Sequence, residues 1–110
     1  VPNGTGTFSR ILARYVREQQ ALDLMTALSK MSHQPARLLE GIAPAFRRKG
    51  RITPGADADL VVFDPERVID TATYDDPRQF PQGIPFVLVN GQVAVDDEQC
   101  TGVLAGQAVP

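Results

Sequence analysis

The stretch Ile52 to Pro65, ITPGADADLVVFDP, constrains this chain more than any other. Pro54-Gly55 is a turn pair: proline presets a negative φ at the second turn position, and glycine accepts a positive φ at the third. Leu60-Val61-Val62-Phe63 follows as an unbroken apolar run of β-branched and aromatic residues, which predicts a strand. Side chains alternate along a strand, so Leu60 and Val62 face one way and Val61 and Phe63 the other. Apolar residues on both faces predict an interior strand rather than an edge. Asp57 and Asp59 flank its entry, and Asp64-Pro65 closes it with turn chemistry.

The residues before this stretch read as loop and helices. Val1 to Thr7, VPNGTGT, is rich in glycine and turn formers and predicts a loop. Phe8, Ile11, Leu12, Tyr15 and Val16 recur at the spacing of one buried helical face, which predicts a helix over residues 7–19. Asp23 is placed to cap a second helix that carries Leu24, Ala27, Leu28 and Met31 on one stripe. Pro35 suits the first turn of a third, shorter helix ended by Gly41. Because the residue before proline avoids the α region, a break is expected near Gln34. Phe46 to Arg51, FRRKGR, reads as a basic, solvated connector.

Beyond the strand, Val68, Ile69 and Tyr74 sit in an Asp-rich segment with no predicted conformation. Phe86 to Val89, Asn90-Gly91 and Gln92 to Val95 predict a β-hairpin, since Asn-Gly supplies the two positive-φ positions of a type I′ turn. The tail, TGVLAGQAVP, offers little to a core.

Size and charge narrow the function. A chain of 110 residues, 43% hydrophobic, can form one domain with a modest core. Residues 1–55 hold nine Lys/Arg against three Asp/Glu, and residues 56–110 hold two against ten, for a net charge of −2. Such asymmetry allows two regions that attract each other, a surface for a partner, or separately solvated faces. The acidic balance argues against nucleic-acid binding, even with Arg47, Arg48, Lys49 and Arg51 close together. No apolar run approaches the ~20 residues of a membrane span, and no signal-peptide pattern opens the chain. Cys100 is the only cysteine, so no internal disulfide is possible, and a reducing cytoplasmic setting fits. An opening Val-Pro-Asn without methionine suggests a chain cut from something longer.

The residues present form no complete catalytic constellation. His33 is the only histidine, so no two-histidine metal pair exists, and a capping or packing role is expected. Cys100 has no histidine near it in sequence to activate it as a nucleophile. Asp57, Asp59 and Asp64 resemble a carboxylate cluster, but turn and capping roles fit them better. Gly4-Thr5-Gly6 lacks the preceding strand and the full spacing of a phosphate loop. No catalytic and no metal-ligating residue is assigned, and the class is α+β.

Several segments carry a family resemblance. PGADADLVVFDP resembles the strand that enters the small β-sandwich of amidohydrolase-superfamily enzymes. GTFSRILARYVREQQ is similar to the Gly-Thr-Phe and Arg-Tyr-Val-Arg segment of N-acyl-D-amino-acid deacylases (D-aminoacylases), and LDLMTALSKMSHQPARLLEG to their following helices. ATYDDPRQFPQGIPFVLVNGQVAVDDEQCTG resembles their Asp-Pro, Gly-Ile and Val-Asn-Gly hairpin. Nearly the whole chain is covered, in order.

The resemblance implies a fold and a function. Residues 1–50 would be the closing loop and helices of a TIM-like (β/α)8 barrel, and residues 51–110 the C-terminal strands of a small β-sandwich. The whole would be the C-terminal portion of a zinc-dependent amidohydrolase that hydrolyses the amide of N-acyl-D-amino acids or related amides, in which a metal-bound hydroxide attacks the acyl carbon. The family's zinc ligands and catalytic aspartate lie upstream of these residues, so zinc belongs to the parent enzyme. Loops at that barrel face meet the substrate, which marks Asn3, Thr5 and Thr7 as substrate-loop residues. The family commonly carries His-Pro-Arg before Gly-Thr-Phe, where only Pro2 matches here, so relatives acting on other N-acyl or cyclic amides stay open. The implied partners are an N-acyl amino acid bound through the parent enzyme and a missing N-terminal part, or a second copy held through uncovered strand edges. Neither nucleic acid nor membrane is expected. The alternative is a free-standing, non-catalytic interaction or scaffold module derived from an amidohydrolase.

Overall fold

A computed structural model describes the backbone of residues 2–109 and the side chains from Gly6 onward. Helices make up the first half and an antiparallel sheet the second. Helix α1 (Pro2–Arg10) continues over Ile11–Glu18 in wider π turns. Helices α2 (Leu24–Leu28) and α3 (Gln34–Leu39) are joined by π turns over Ser29–His33, and a 3-10 turn covers Pro44–Arg48. The strands are β1 (Leu60–Val62), β2 (Phe86–Val89), β3 (Gln92–Asp96) and β4 (Gln99–Cys100), hydrogen-bonded in the order β1-β2-β3-β4.

The first helix begins where a loop was expected, at Pro2 rather than near Thr7. Taken together, Asn3, Gly4, Thr5, Gly6 and Thr7 are about 3–4 kcal/mol less helical than alanines. Pro2 is tolerated because the first turn needs no donor from it. Tertiary contact supplies what propensity lacks: Gly6 and Ser9 are both buried against the rest of the chain. Further along, Leu12 and Ala13 are buried while Phe8 and Tyr15, expected on the same face, are 62% and 42% exposed. The π turns explain this, since extra residues per turn rotate an i, i+3, i+4 stripe out of line.

The break expected at Gln34 is absent. His33 (φ −66°, ψ −47°) and Gln34 (φ −63°, ψ −45°) are both helical. A proline inside a helix crowds the carbonyl four residues back. Here the π turns move the bonding to i−5, with the Gln34 N–H donating to the Ser29 carbonyl, so the chain runs through Pro35 without turning. Other expectations hold. The Thr26 N–H donates to Asp23 Oδ1 at 2.7 Å, capping α2, and α3 ends just before Gly41, with the Ile42 and Ala43 N–H groups bonded to the Leu39 carbonyl.

In the sheet, Asn90 (φ 51°) and Gly91 (φ 78°) form the two-residue turn between β2 and β3. A second left-handed pair, Asp97 (φ 49°) and Glu98 (φ 66°), turns β3 into β4. Strand β1 pairs with β2 through Leu60↔Leu88 and Val62↔Phe86. No other strand pairs with it among the described residues, which corrects the expectation of an interior strand. Val61 and Val62 are accordingly 57% and 50% exposed.

The core joins Leu12 and Ala27 of the helices to Val68, flanked by Leu28, Met31, Phe63 and Ile84. Val68 belongs to the segment with no predicted conformation and is fully buried. Gly83, at φ 84°, lies over it so closely that a Cβ there would sit 2.5 Å from the Val68 backbone. The segment is further held by paired Ile69 and Gln82 bonds of 3.0 and 2.9 Å.

Candidate functional site

Three features around α1 and the sheet have the makings of a site. The first lies beneath the start of α1. Gly6 rests on Asp70, whose Cβ would be 2.8 Å from a Cβ placed on Gly6. Arg10, one turn on, reaches Asp70 Oδ2 with Nη1 at 3.3 Å. Asp70 Oδ1 is buried and has no hydrogen-bond partner among the described residues. Further along the same helix, Arg17 Nη1 donates to the Pro65 carbonyl at 3.1 Å. Two arginines a full heptad apart thus strap the segment that leaves β1 against the helix.

The substrate-loop residues named from sequence fall on this helix rather than in a loop. The side chains of Asn3 and Thr5 lie outside the described ones. Thr7 is exposed and borders an apolar groove of about 620 Å³. Phe8, Leu12 and Met31 form the helical wall of this groove, and Val61, Phe63 and Val87 the sheet wall. The apolar lining offers packing surface and carries no charge with which to polarise a reacting bond.

The third feature is a charge network between the 3-10 turn and the sheet. Lys49 Nζ sits 3.0 Å from Asp57 Oδ2 and 2.6 Å from Asp59 Oδ2, and Arg48 Nε sits 3.2 Å from Asp57 Oδ1. Asp59 Oδ1 also accepts the Asn90 N–H at 2.8 Å, and the Gly91 N–H donates to the Ala58 carbonyl at 2.9 Å. The Lys49 ammonium, followed by the Asn90 N–H, holds the Asp59 carboxyl below the usual carboxylate range. Lys49 also lowers Asp57, and is itself raised, chiefly by its bond to Asp59. Asp59 therefore caps the hairpin turn, and Asp64 Oδ1 accepts the Glu66 N–H at 2.9 Å in the turn that closes β1, as expected, whereas the Asp57 side chain is held by ion pairs to Lys49 and Arg48 instead. FRRKGR is not merely solvated, since Arg51 additionally reaches Glu40 at 3.3 Å.

The remaining candidates are structural. His33 Nδ1 donates to the Gly50 carbonyl at 3.1 Å, a packing role that fixes Gly50 at φ 67° against the helix. Cys100 is exposed in β4. No group of three or more His, Cys, Asp or Glu among the described residues is arranged to hold a metal ion, so the residues present do not fit a zinc site. Sequence reasoning weighs Gly6 only as part of a phosphate loop and passes over Asp70 and Glu98, whose Oε1 accepts the Gly83 N–H at 2.8 Å. For Asp70 the available signal was a lone carboxylate directly after Val68-Ile69, where an apolar neighbourhood forces a charged group to find partners.

The sequence model of the amidohydrolase family matches residues 2–95. The N-acyl-D-glutamate deacylase of Alcaligenes xylosoxydans xylosoxydans is 48% identical over 90 residues, covering 82% of this chain and 17% of that protein. Two solved structures share the fold. A D-aminoacylase crystal structure superposes with a TM-score of 0.83 at 39% identity, over 93% of this chain and 20% of its own. The N-acyl-D-glutamate deacylase from Bordetella bronchiseptica, complexed with zinc and a phosphonate mimic of the tetrahedral intermediate, superposes with a TM-score of 0.77 at 41% identity, over 96% and 22%. The chain therefore spans about a fifth of the length of the relatives it matches. With a family match over most of its residues and a shared fold of helices and antiparallel sheet, this chain belongs to the amidohydrolase family.

Proposed function

We propose that this chain is the C-terminal portion of a zinc-dependent amidohydrolase that hydrolyses the amide bond of N-acyl-D-amino acids or related amides. The observation that carries the reading is the likeness to a D-aminoacylase over 93% of this chain and only 20% of that enzyme, at 39% identity. In this reading residues 1–50 close a (β/α)8 barrel and residues 51–110 contribute to a small β-sandwich. The barrel face is where substrate is met, and Asn3, Thr5 and Thr7, in the first turns of α1, are the residues this reading assigns to it. Zinc is held by residues outside this chain, and the enzyme works in a reducing cytoplasm. The apolar groove and the unpaired edge of β1 are the surfaces that the rest of the enzyme covers. They speak against a free-standing scaffold module, which would cover such surfaces itself.

Zinc and N-acetyl-D-glutamate or N-acetyl-D-aspartate, added to the isolated 110 residues, should give no turnover, while a longer protein ending in this chain should release the free amino acid. Turnover by the rigorously purified isolated chain, or none by the longer protein with any N-acetyl-D-amino acid, would overturn the reading.

A further inference from the structure

The most exposed question in this fold is why a segment built from loop-forming residues is helical. Pro2 to Thr7 contains glycine, threonine and asparagine, yet it forms the first turns of α1. Gly6 is a poor helix residue in an interior position, and its place is explained by Asp70, against which no Cβ fits. Asp70 in turn stands on firm backbone. Ile69 is bonded in both directions to Gln82, and Thr71 Oγ1 donates to the Phe80 carbonyl at 2.7 Å. Its side chain is only 9% exposed, its Oδ2 is braced by Arg10, and its Oδ1 has no hydrogen-bond partner among the described residues. Buried carboxylate oxygens without partners are rare and costly in folded proteins, and Asp70 Oδ1 is the one buried side-chain oxygen in that state among the described residues.

Resting on the reading in which Asn3, Thr5 and Thr7 face the substrate, we propose that Asp70 is a positioning residue for substrate binding. With its Cβ against Gly6 and its carboxylate held by Arg10, Asp70 fixes the first turns of α1 relative to the sheet, and through them the residues that meet the N-acyl amino acid. It touches no reacting atom. Its effect therefore falls on KM and leaves the chemical step alone.

The test uses the full-length, zinc-loaded enzyme that carries this chain, with the better of N-acetyl-D-glutamate and N-acetyl-D-aspartate as substrate. Asp70→Asn keeps the shape and removes the charge paired with Arg10. It should raise KM about tenfold with kcat within about twofold, because a displaced binding segment weakens ground-state and transition-state binding alike. Arg10→Met, at a side chain that is 54% exposed and tolerant of change, should move KM the same way by about threefold. Amide hydrogen exchange should quicken over residues 3–9 in both variants and stay unchanged in β2 and β3. A KM that stays within error in both variants overturns the positioning role, as does a loss confined to kcat or to the yield of folded enzyme. Asn3→Ala and Thr7→Ala, measured alongside, separate the two claims. A KM shift in either of these without one in Asp70→Asn overturns the positioning role alone, while no shift in any variant overturns the substrate-facing reading beneath it.

Discussion

Lys49 is where the two oppositely charged halves of the chain converge. Of the six ion pairs among the described residues, four join residues 1–55 to residues 56–110, and Lys49 makes two of them. The pH dependence follows from the directions of the shifts. Asp57 and Asp59 are held below their ordinary 3.8, so their contribution to stability is present above that value and is lost as pH falls through the lower, folded one. Lys49 is raised above 10.5, so its contribution is present below that value and is lost only as pH climbs past the folded one. Urea unfolding should therefore show stability flat between about pH 5 and 9, with a decline on the acid side below about pH 4. Lys49→Met removes the cation and leaves two neighbouring carboxylates that repel each other. The acid-side decline should then shrink or reverse, because protonation relieves the repulsion. A variant with the same acid slope as the parent would show that the network does not couple to folding. FRRKGR displayed these cations in sequence. Their partners did not show, because Asp57 and Asp59 lie eight and ten residues downstream of Lys49 and reach it only through the Pro54-Gly55 turn.

Among the elements, those fixed by local chemistry were the legible ones. Asn90-Gly91 specifies its turn because both residues tolerate the left-handed region, and the β2–β3 hairpin forms as read. Asn90→Ala should destabilise the chain by about 1 kcal/mol, since alanine resists that region, whereas Asn90→Gly should be close to neutral. Urea midpoints at a constant slope would check both, and equal losses in the two variants would show that the asparagine side chain matters for another reason. The turn between β3 and β4 escaped notice because Asp97 and Glu98 adopt the same conformation without glycine. Here tertiary contact decides: the Glu98 N–H bonds the Pro85 carbonyl at 3.0 Å and its carboxylate bonds Gly83. The helical start of α1 is hidden from the sequence for the same reason, since the contact that overrides its propensity lies 64 residues away, at Asp70. The helix through Pro35 is hidden because π turns change the hydrogen-bond period, a shift that i, i+3, i+4 patterning does not reveal.

For the molecule as a whole, the sequence pattern of β1 was right about chemistry and wrong about its neighbourhood. Apolar residues on both faces of Leu60–Phe63 call for cover on both sides. Among the described residues the helices stop short of one face, leaving the groove, and the outer edge has no strand. An exposed apolar edge strand invites pairing with another chain. The isolated 110 residues should therefore self-associate, with light scattering showing a mass that rises with concentration across the micromolar range. Val61→Lys, a charge at an edge position, should return the chain toward monomer. A strictly monomeric parent chain at every concentration would mean that the edge is protected in solution.

The pinning of the hairpin tip by Ala58 and Asp59 bears on the order in which the sheet assembles. Strands β2, β3 and β4 are joined by two-residue turns, so their contacts close over short loops and can form early. Strand β1 lies more than 20 residues upstream of β2, and its docking must wait for the longer connection through Val68 to close. Asn90→Ala should then slow refolding, while Lys49→Met, which loosens only the late-docking strand, should leave the refolding rate nearly unchanged and quicken unfolding. Stopped-flow chevrons of the two variants would read this order directly, and an unchanged unfolding limb in Lys49→Met would place β1 in the folding nucleus instead.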